Sequence, residues 1–189
     1  MLNAYGAYKD VRNAAWQVLL DYDIRTIPVD ISKIAYSSGI FILKNSKAHL
    51  LKNNEAGLSV IIDDRWNIIY DDTAPKGRIR FTIAHELGHF FLGHPIIPGC
   101  YGSETYIKPE MEKHSDMFAI RLLVPACVVW GLGLHTPEEI QSVFNVSFSA
   151  AKARAARMEI LYERDRFLTS DIEQKVYANF KEYIDSFKQ

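Results

Sequence analysis

The residues of this chain best placed to do chemistry lie in Thr82-Ile83-Ala84-His85-Glu86-Leu87-Gly88-His89, which contains the pattern His-Glu-x-x-His. On a helix, His85 and His89 stand about 40° apart around the axis, on one face, so that two imidazoles can grip a single zinc ion. Glu86 follows His85 directly, where a carboxylate can hold a water beside the metal and take its proton, as hydrolysis of an amide requires. The five-residue pattern alone is unspecific. A catalytic zinc site also needs a third protein ligand and an open coordination position.

His94 is the nearest candidate in sequence, but it falls five residues after His89. The metzincin spacing puts a histidine six residues on and a glycine at the third, where this chain has Leu92. On a continued helix His94 would point away from His85 and His89, which favours a capping or packing role. Glu112 fits better. With Asp116 it forms Glu-x-x-x-Asp on one helical face, so Glu112 can bind metal while Asp116 accepts the free imidazole N–H of a ligating histidine. His114 points off that face and is at most a substrate-side group. Tyr101, Tyr106 and His114 are candidate donors to an oxyanion. Cys100 reads as a free thiol, with no histidine and orienting acid arranged around it.

These residues need elements to hold them. Tyr5 to Leu20 has helical periodicity, Val29 to Ser37 reads as a short helix opened by Asp30, and Gly39 ends it before Ile40-Phe41-Ile42-Leu43. Leu58 to Ile62 and Trp66 to Tyr70 read as strands joined by a polar hairpin link, so a small antiparallel sheet is expected. After the loop Asp71 to Gly77, Arg78 to Leu92 reads as the helix carrying the histidines, stopped by Gly93-His94-Pro95, and Glu110 to Val124 as the helix carrying Glu112. Further helices are expected over 137–144, 149–162 and 171–187. The fold class is α+β, a mostly helical core with a small sheet, organised as a metallopeptidase domain over 1–130 and a helical region over 131–189.

The 189 residues are 48% hydrophobic and 24% charged, ordinary for a globular chain, and 22 Lys+Arg against 23 Asp+Glu leave a net charge of -1. No uniform positive field draws such a chain to nucleic acid or anionic lipid. The cysteines, Cys100 and Cys127, build no disulfide framework. The first residues have no signal-peptide organisation, and no apolar run reaches the ~18 residues that span a bilayer. A cytoplasmic protein without a membrane partner is expected.

Two blocks carry a resemblance: Arg80-Phe81-Thr82-Ile83-Ala84-His85-Glu86-Leu87-Gly88-His89, and Glu112-Lys113-His114-Ser115-Asp116-Met117-Phe118-Ala119 with Leu122-Leu123-Val124-Pro125. The chain resembles the ImmA/IrrE family of gluzincin-like metallopeptidases over roughly residues 5 to 160, its amino-terminal part on Pro28-Val29-Asp30-Ile31, Ile34-Ala35 and Gly39-Ile40. The family's second block usually reads Glu-x-x-Ala-Asn/Asp-x-Phe-Ala and then Leu-Leu-Met-Pro. Ser115 and Val124 depart from it without touching a proposed ligand. The resemblance implies Zn2+ held by His85, His89 and Glu112, with Glu86 as catalytic base. It further implies a site-specific endopeptidase that cleaves a regulatory protein, a helix-turn-helix repressor or antitoxin of a phage, mobile element or stress response.

Residues 138–157 read as helix, turn and basic helix, and also resemble a helix-turn-helix. Lys152, Arg154 and Arg157 could face DNA, or Ile140, Val143, Val146, Ala150 and Ala153 could pack the pair onto the core or a protein substrate. The acidic preceding helix and the net charge favour packing. The alternative function is therefore a non-proteolytic metal-binding regulator acting through these helices. The aromatic stripe Val176, Tyr177, Phe180, Tyr183, Ile184 and Phe187 reads as core or intersubunit contact.

Overall fold

A computed structural model describes residues 4–95 and 108–188, with side chains from Lys9 onward. The elements run α1 (Ala4–Asp21), α2 (Ile31–Ser37), β1 (Phe41–Lys44), α3 (Asn45–Ala48), β2 (Gly57–Ile62), β3 (Arg65–Tyr70) and α4 (Lys76–Phe91). They continue with α5 (Pro109–Leu123), α6 (Ala126–Leu132), α7 (Pro137–Phe144), α8 (Phe148–Arg164), α9 (Asp171–Asn179) and α10 (Lys181–Phe187). The α+β reading holds, with helices dominant. The short α3 is not foreshadowed by the periodicity, α6 is the helix restarting after Pro125, and the expected helix over 171–187 is divided at Phe180.

The sheet is mixed rather than antiparallel. Its order is β1-β3-β2, with β2 antiparallel to β3 but β1 parallel to it. A hairpin turn at Asp63 and Asp64, both at positive φ (50° and 57°), closes β2 onto β3. The direction of β1 was not readable because α3 and its loop intervene, and that connection allows either sense. Side chains alternate across the sheet. Leu58, Val60 and Ile69 form a small cluster beneath Ala48, Leu50 and Leu51, while Ile68 joins the main core. Ser59 pairs with Ile68 in the β2–β3 register.

The main core is one continuous cluster from Val11 in α1 to Ile184 in α10. α1 buries Val11, Ala15, Trp16, Val18 and Leu19 and packs on α5 and α9. α5 starts with Pro109 at its first turn and buries Phe118, Ala119, Leu122 and Leu123. The stretch Pro109–Leu132 is long and apolar enough to cross a membrane by length and composition, yet 78% of its apolar 18-residue window is buried in the fold, as suits a core helix broken at Pro125. α7 opens with a capping box between Thr136 and Glu139, and Asn145 at φ 51° turns the chain into α8. This helix pair docks against the core. A Cβ on Gly77 would come within 2.7 Å of the Val146 carbonyl carbon and the Ser147 nitrogen, so the start of α4 abuts the α7–α8 turn.

Candidate metal centre

α4 and α5 build the site by crossing closely at Gly88, where a Cβ would stand 3.1 Å from Ser115 Cα and 3.3 Å from Phe118 Cβ. That approach sets the first turn of α5 over the histidine face of α4. His85 Nε2 lies 3.2 Å from one Glu112 carboxylate oxygen and His89 Nε2 3.5 Å from the other. The two Nε2 atoms are 3.1 Å apart. One ligand atom from each of His85, His89 and Glu112 falls within 4.8 Å of the others. The group is graded in depth: His89 is 2% exposed, His85 16% and Glu112 47% at the side chain.

The far side of each ring is held. Asp116 Oδ1 lies 2.8 Å from His85 Nδ1, the geometry in which the ring N–H donates to the carboxylate. His94 Nδ1 lies 3.1 Å from His89 Nδ1, and Ser115 Oγ is 3.4 Å from His94 Nδ1. His94 takes the packing role expected of it at the helix end, but its ring does not point away from the other histidines. Gly93, at φ 67°, reverses the chain so that the His94 N–H donates to the His89 carbonyl at 2.9 Å and the Gly93 N–H to the Phe90 carbonyl at 3.1 Å. That turn folds the His94 ring back against His89.

With each Nδ1 engaged outward, the Nε2 lone pairs of His85 and His89 face each other and the Glu112 carboxylate. Such a converging set of two imidazoles and a carboxylate is stabilised by a cation at its centre, and the donor types suit a metal ion of the zinc kind. Burial, reinforced by His85 and His94, lowers the His89 pKa to about 3, so the ring is neutral and able to ligate. Burial also opposes the charged form of His85, but the Asp116 hydrogen bond and the charges of Glu86, Asp116 and Glu112 outweigh it and raise its pKa. His94 is lowered by burial, then by His114 and His85.

Glu86 points to the sheet side. Its Oε2 accepts a 2.6 Å hydrogen bond from Ser59 Oγ on β2, and burial raises its pKa despite that bond. A buried carboxylate whose proton affinity is raised suits a proton acceptor that later donates. Gly57, two residues before Ser59, is required by close approach, since a Cβ there would collide with the Thr82 methyl and lie 3.4 Å from Glu86 Oε1. The metal group and Glu86 open into a cleft of about 580 Å³ bounded by Glu55 to Gly57, Phe81 and Ser149, with Arg78 its one cation among the described lining residues.

The site predicted from sequence is brought together for His85, Glu86, His89, Glu112 and Asp116. His114 does not line the cleft. Cys100, Tyr101 and Tyr106 lie outside the described residues. Sequence reasoning missed Ser59, Arg78 and the His94 contact; a lone hydroxyl in the apolar strand Gly57–Ile62 and a glycine directly before His94 were the available signals. The basic face of α8 is divided by the fold. Arg154 is 6% exposed and donates to the Ile120 carbonyl at 2.9 Å, Arg157 is half-buried, and Lys152 is exposed.

A His-Glu-x-x-His helix faced by a glutamate from the next helix is a donor set of the metallopeptidase kind. The family model described as the IrrE N-terminal-like domain, Peptidase M78, matches residues 37–156, from before β1 into α8, and the chain belongs to that family. The match begins after the Pro28 to Ala35 segment. No curated protein matches the chain.

Proposed function

We propose that the protein is a zinc-dependent, site-specific endopeptidase of a regulatory protein, a helix-turn-helix repressor or antitoxin. The observation that carries the hydrolytic reading is the placement of Glu86, buried and held by Ser59, directly beside the His85–His89–Glu112 donor set in an open cleft. Zinc bound by those donors would supply a Lewis acid that polarises the scissile carbonyl and acidifies water. Glu86 takes a proton from the attacking water and returns it to the amine nitrogen as the C–N bond breaks. Ser59 fixes the carboxylate for both transfers, and Asp116 and His94 fix the histidines from behind. No residue here needs to form a covalent bond to substrate.

Two features suit a peptide. β2 is an edge strand whose start borders the cleft, so an extended substrate can add to the sheet there. An apolar groove lined by Phe81, Met117, Ile120 and Ala153 adjoins the cleft and can receive an apolar side chain. The regulatory substrate is supported by the family resemblance.

The test is a survey of new protein amino termini in host cells carrying the wild type or Glu86→Gln, with and without DNA damage. New termini concentrated in one helix-turn-helix regulator and absent in the variant are expected. Termini independent of Glu86 would overturn the proposal.

A further inference from the structure

A second cavity, of about 700 Å³, lies between the start of α1 and the carboxy-terminal half of α8, away from the metal centre. Lys9 and Arg12 come to it from α1, Arg157 and Arg164 from α8, and Arg166 from the link to α9. No carboxylate is among its described lining residues. In a chain of net charge -1, five cations around one cavity are a local concentration of charge rather than a property of composition. Like charges so placed repel one another, and an anion between them removes that cost.

For three of the five no counter-charge among the described residues relieves it. Among the described residues, the side chains of Lys9, Arg164 and Arg166 make no hydrogen bond or ion pair. Arg12 is aimed by a neutral partner, donating to Asn13 Oδ1 at 2.9 and 3.1 Å, while its guanidinium lies 5.0 Å from the Trp16 ring centroid. Glu173, the nearby buried acid, is turned instead to the Thr169 N–H at 3.1 Å. A second observation is independent of charge. Ser170 lines the same cavity, and its Oγ is buried with no hydrogen-bond partner, although it precedes α9 where a serine hydroxyl ordinarily caps the helix. A buried hydroxyl left unmatched in this way costs stability unless something else satisfies it.

We infer that this cavity binds a compact oligophosphate, free or carried by a nucleotide, with the arginines on its oxygens and Ser170 Oγ donating to one of them. Guanidinium groups pair with phosphate through paired N–H donors, and the volume lies in the range of small-molecule sites. Concavity favours a small anion over the backbone of a duplex. The inference stands independently of the peptidase reading.

The experiment is calorimetric titration of the full chain with inorganic triphosphate and with ATP, in phosphate-free buffer at two salt concentrations. It is paired with thermal unfolding and repeated on Arg164→Ser/Arg166→Ser, on Ser170→Ala and on Lys152→Ser. Saturable binding with one ligand per chain is expected, weakened by about tenfold or more in the arginine double variant and by several-fold in Ser170→Ala. Lys152→Ser is expected to be unchanged. Equal affinity for the two ligands would assign the free oligophosphate chemistry, and tighter ATP binding a nucleotide. Binding that survives the double substitution, as it would if phosphate merely met the metal centre, overturns the inference. So does the absence of binding in the wild type. Retention of a short DNA duplex without either small ligand would reassign the cations to nucleic acid.

Discussion

The metal centre and the basic cavity are both collections of side chains that water or a partner must satisfy, but they are held in opposite ways. At the metal centre the second nitrogen of each histidine is engaged by Asp116 or His94, and Glu86 is engaged by Ser59. In the cavity three cations have no partner among the described residues, and a buried hydroxyl is unmatched. A preorganised site carries its order into the reaction, as catalysis by electrostatic complementarity requires. A cavity of unmatched charge gains its order from the ligand. α8 touches both, lining the cleft at Ser149 and the cavity at Arg157 and Arg164.

The comparison breaks most visibly at Glu86. Glu86→Gln keeps the side-chain shape and the Ser59 neighbour but cannot accept a proton, so turnover of a cleaved regulator should fall by about 10²- to 10⁴-fold with metal content unchanged. Metal analysis beside a single-turnover assay checks both halves, and a large loss of metal would show that Glu86 acts in binding. Removing an outward support has a smaller effect. Asp116→Ala and His94→Ala should each weaken metal affinity by about 10- to 100-fold, read by competition with a chelating dye. Unchanged affinity in either would make that contact ornamental to the centre. The pH dependence has a definite sign. The raised pKa of His85 means that its proton begins to compete with metal above the ordinary histidine value of 6.5, and affinity should decline as pH falls through that range. Asp116→Asn removes a cause of the raise and should move the decline to lower pH.

Legibility differed between the regions for a physical reason. His85, Glu86 and His89 depend only on helical periodicity within one element, and Glu112 and Asp116 on periodicity in the next, so their shared faces could be read from spacing. His94 could not be placed by extending the same helix, because Gly93 ends it and reverses the chain. Ser59 meets Glu86 across a strand–helix contact that no local spacing encodes. The parallel entry of β1 depends on the path of the α3 connection. In α8 the basic residues looked like one face, yet packing on α5 buries Arg154 while Arg157 and Arg164 line a cavity with α1. The periodicity was present in the sequence, but the neighbour on each side was not.

That division of α8 makes a further prediction. Arg154→Ala removes the donor to the Ile120 carbonyl together with the packing of a buried side chain, and should destabilise the fold by about 1–3 kcal/mol in urea unfolding. Lys152→Ala, two residues away and exposed, should change little. Equal effects would mean that α8 is not anchored to α5 through Arg154.

The smallest effect is expected at the cavity and tests the contrast from its other side. Arg164→Ser in the ligand-free protein removes a cation that holds nothing in place, so stability should stay within about 0.5 kcal/mol of the wild type. Its sign is informative: relief of repulsion from Arg157 and Arg166 acts to stabilise, whereas loss of a cation at the last turn of α8 acts to destabilise. Salt separates both of these charge effects from packing, because screening weakens the two but leaves any packing role untouched. A loss of more than 1 kcal/mol that persists at high salt would make Arg164 a structural residue, and the cavity would then resemble the metal centre in being held together without a ligand.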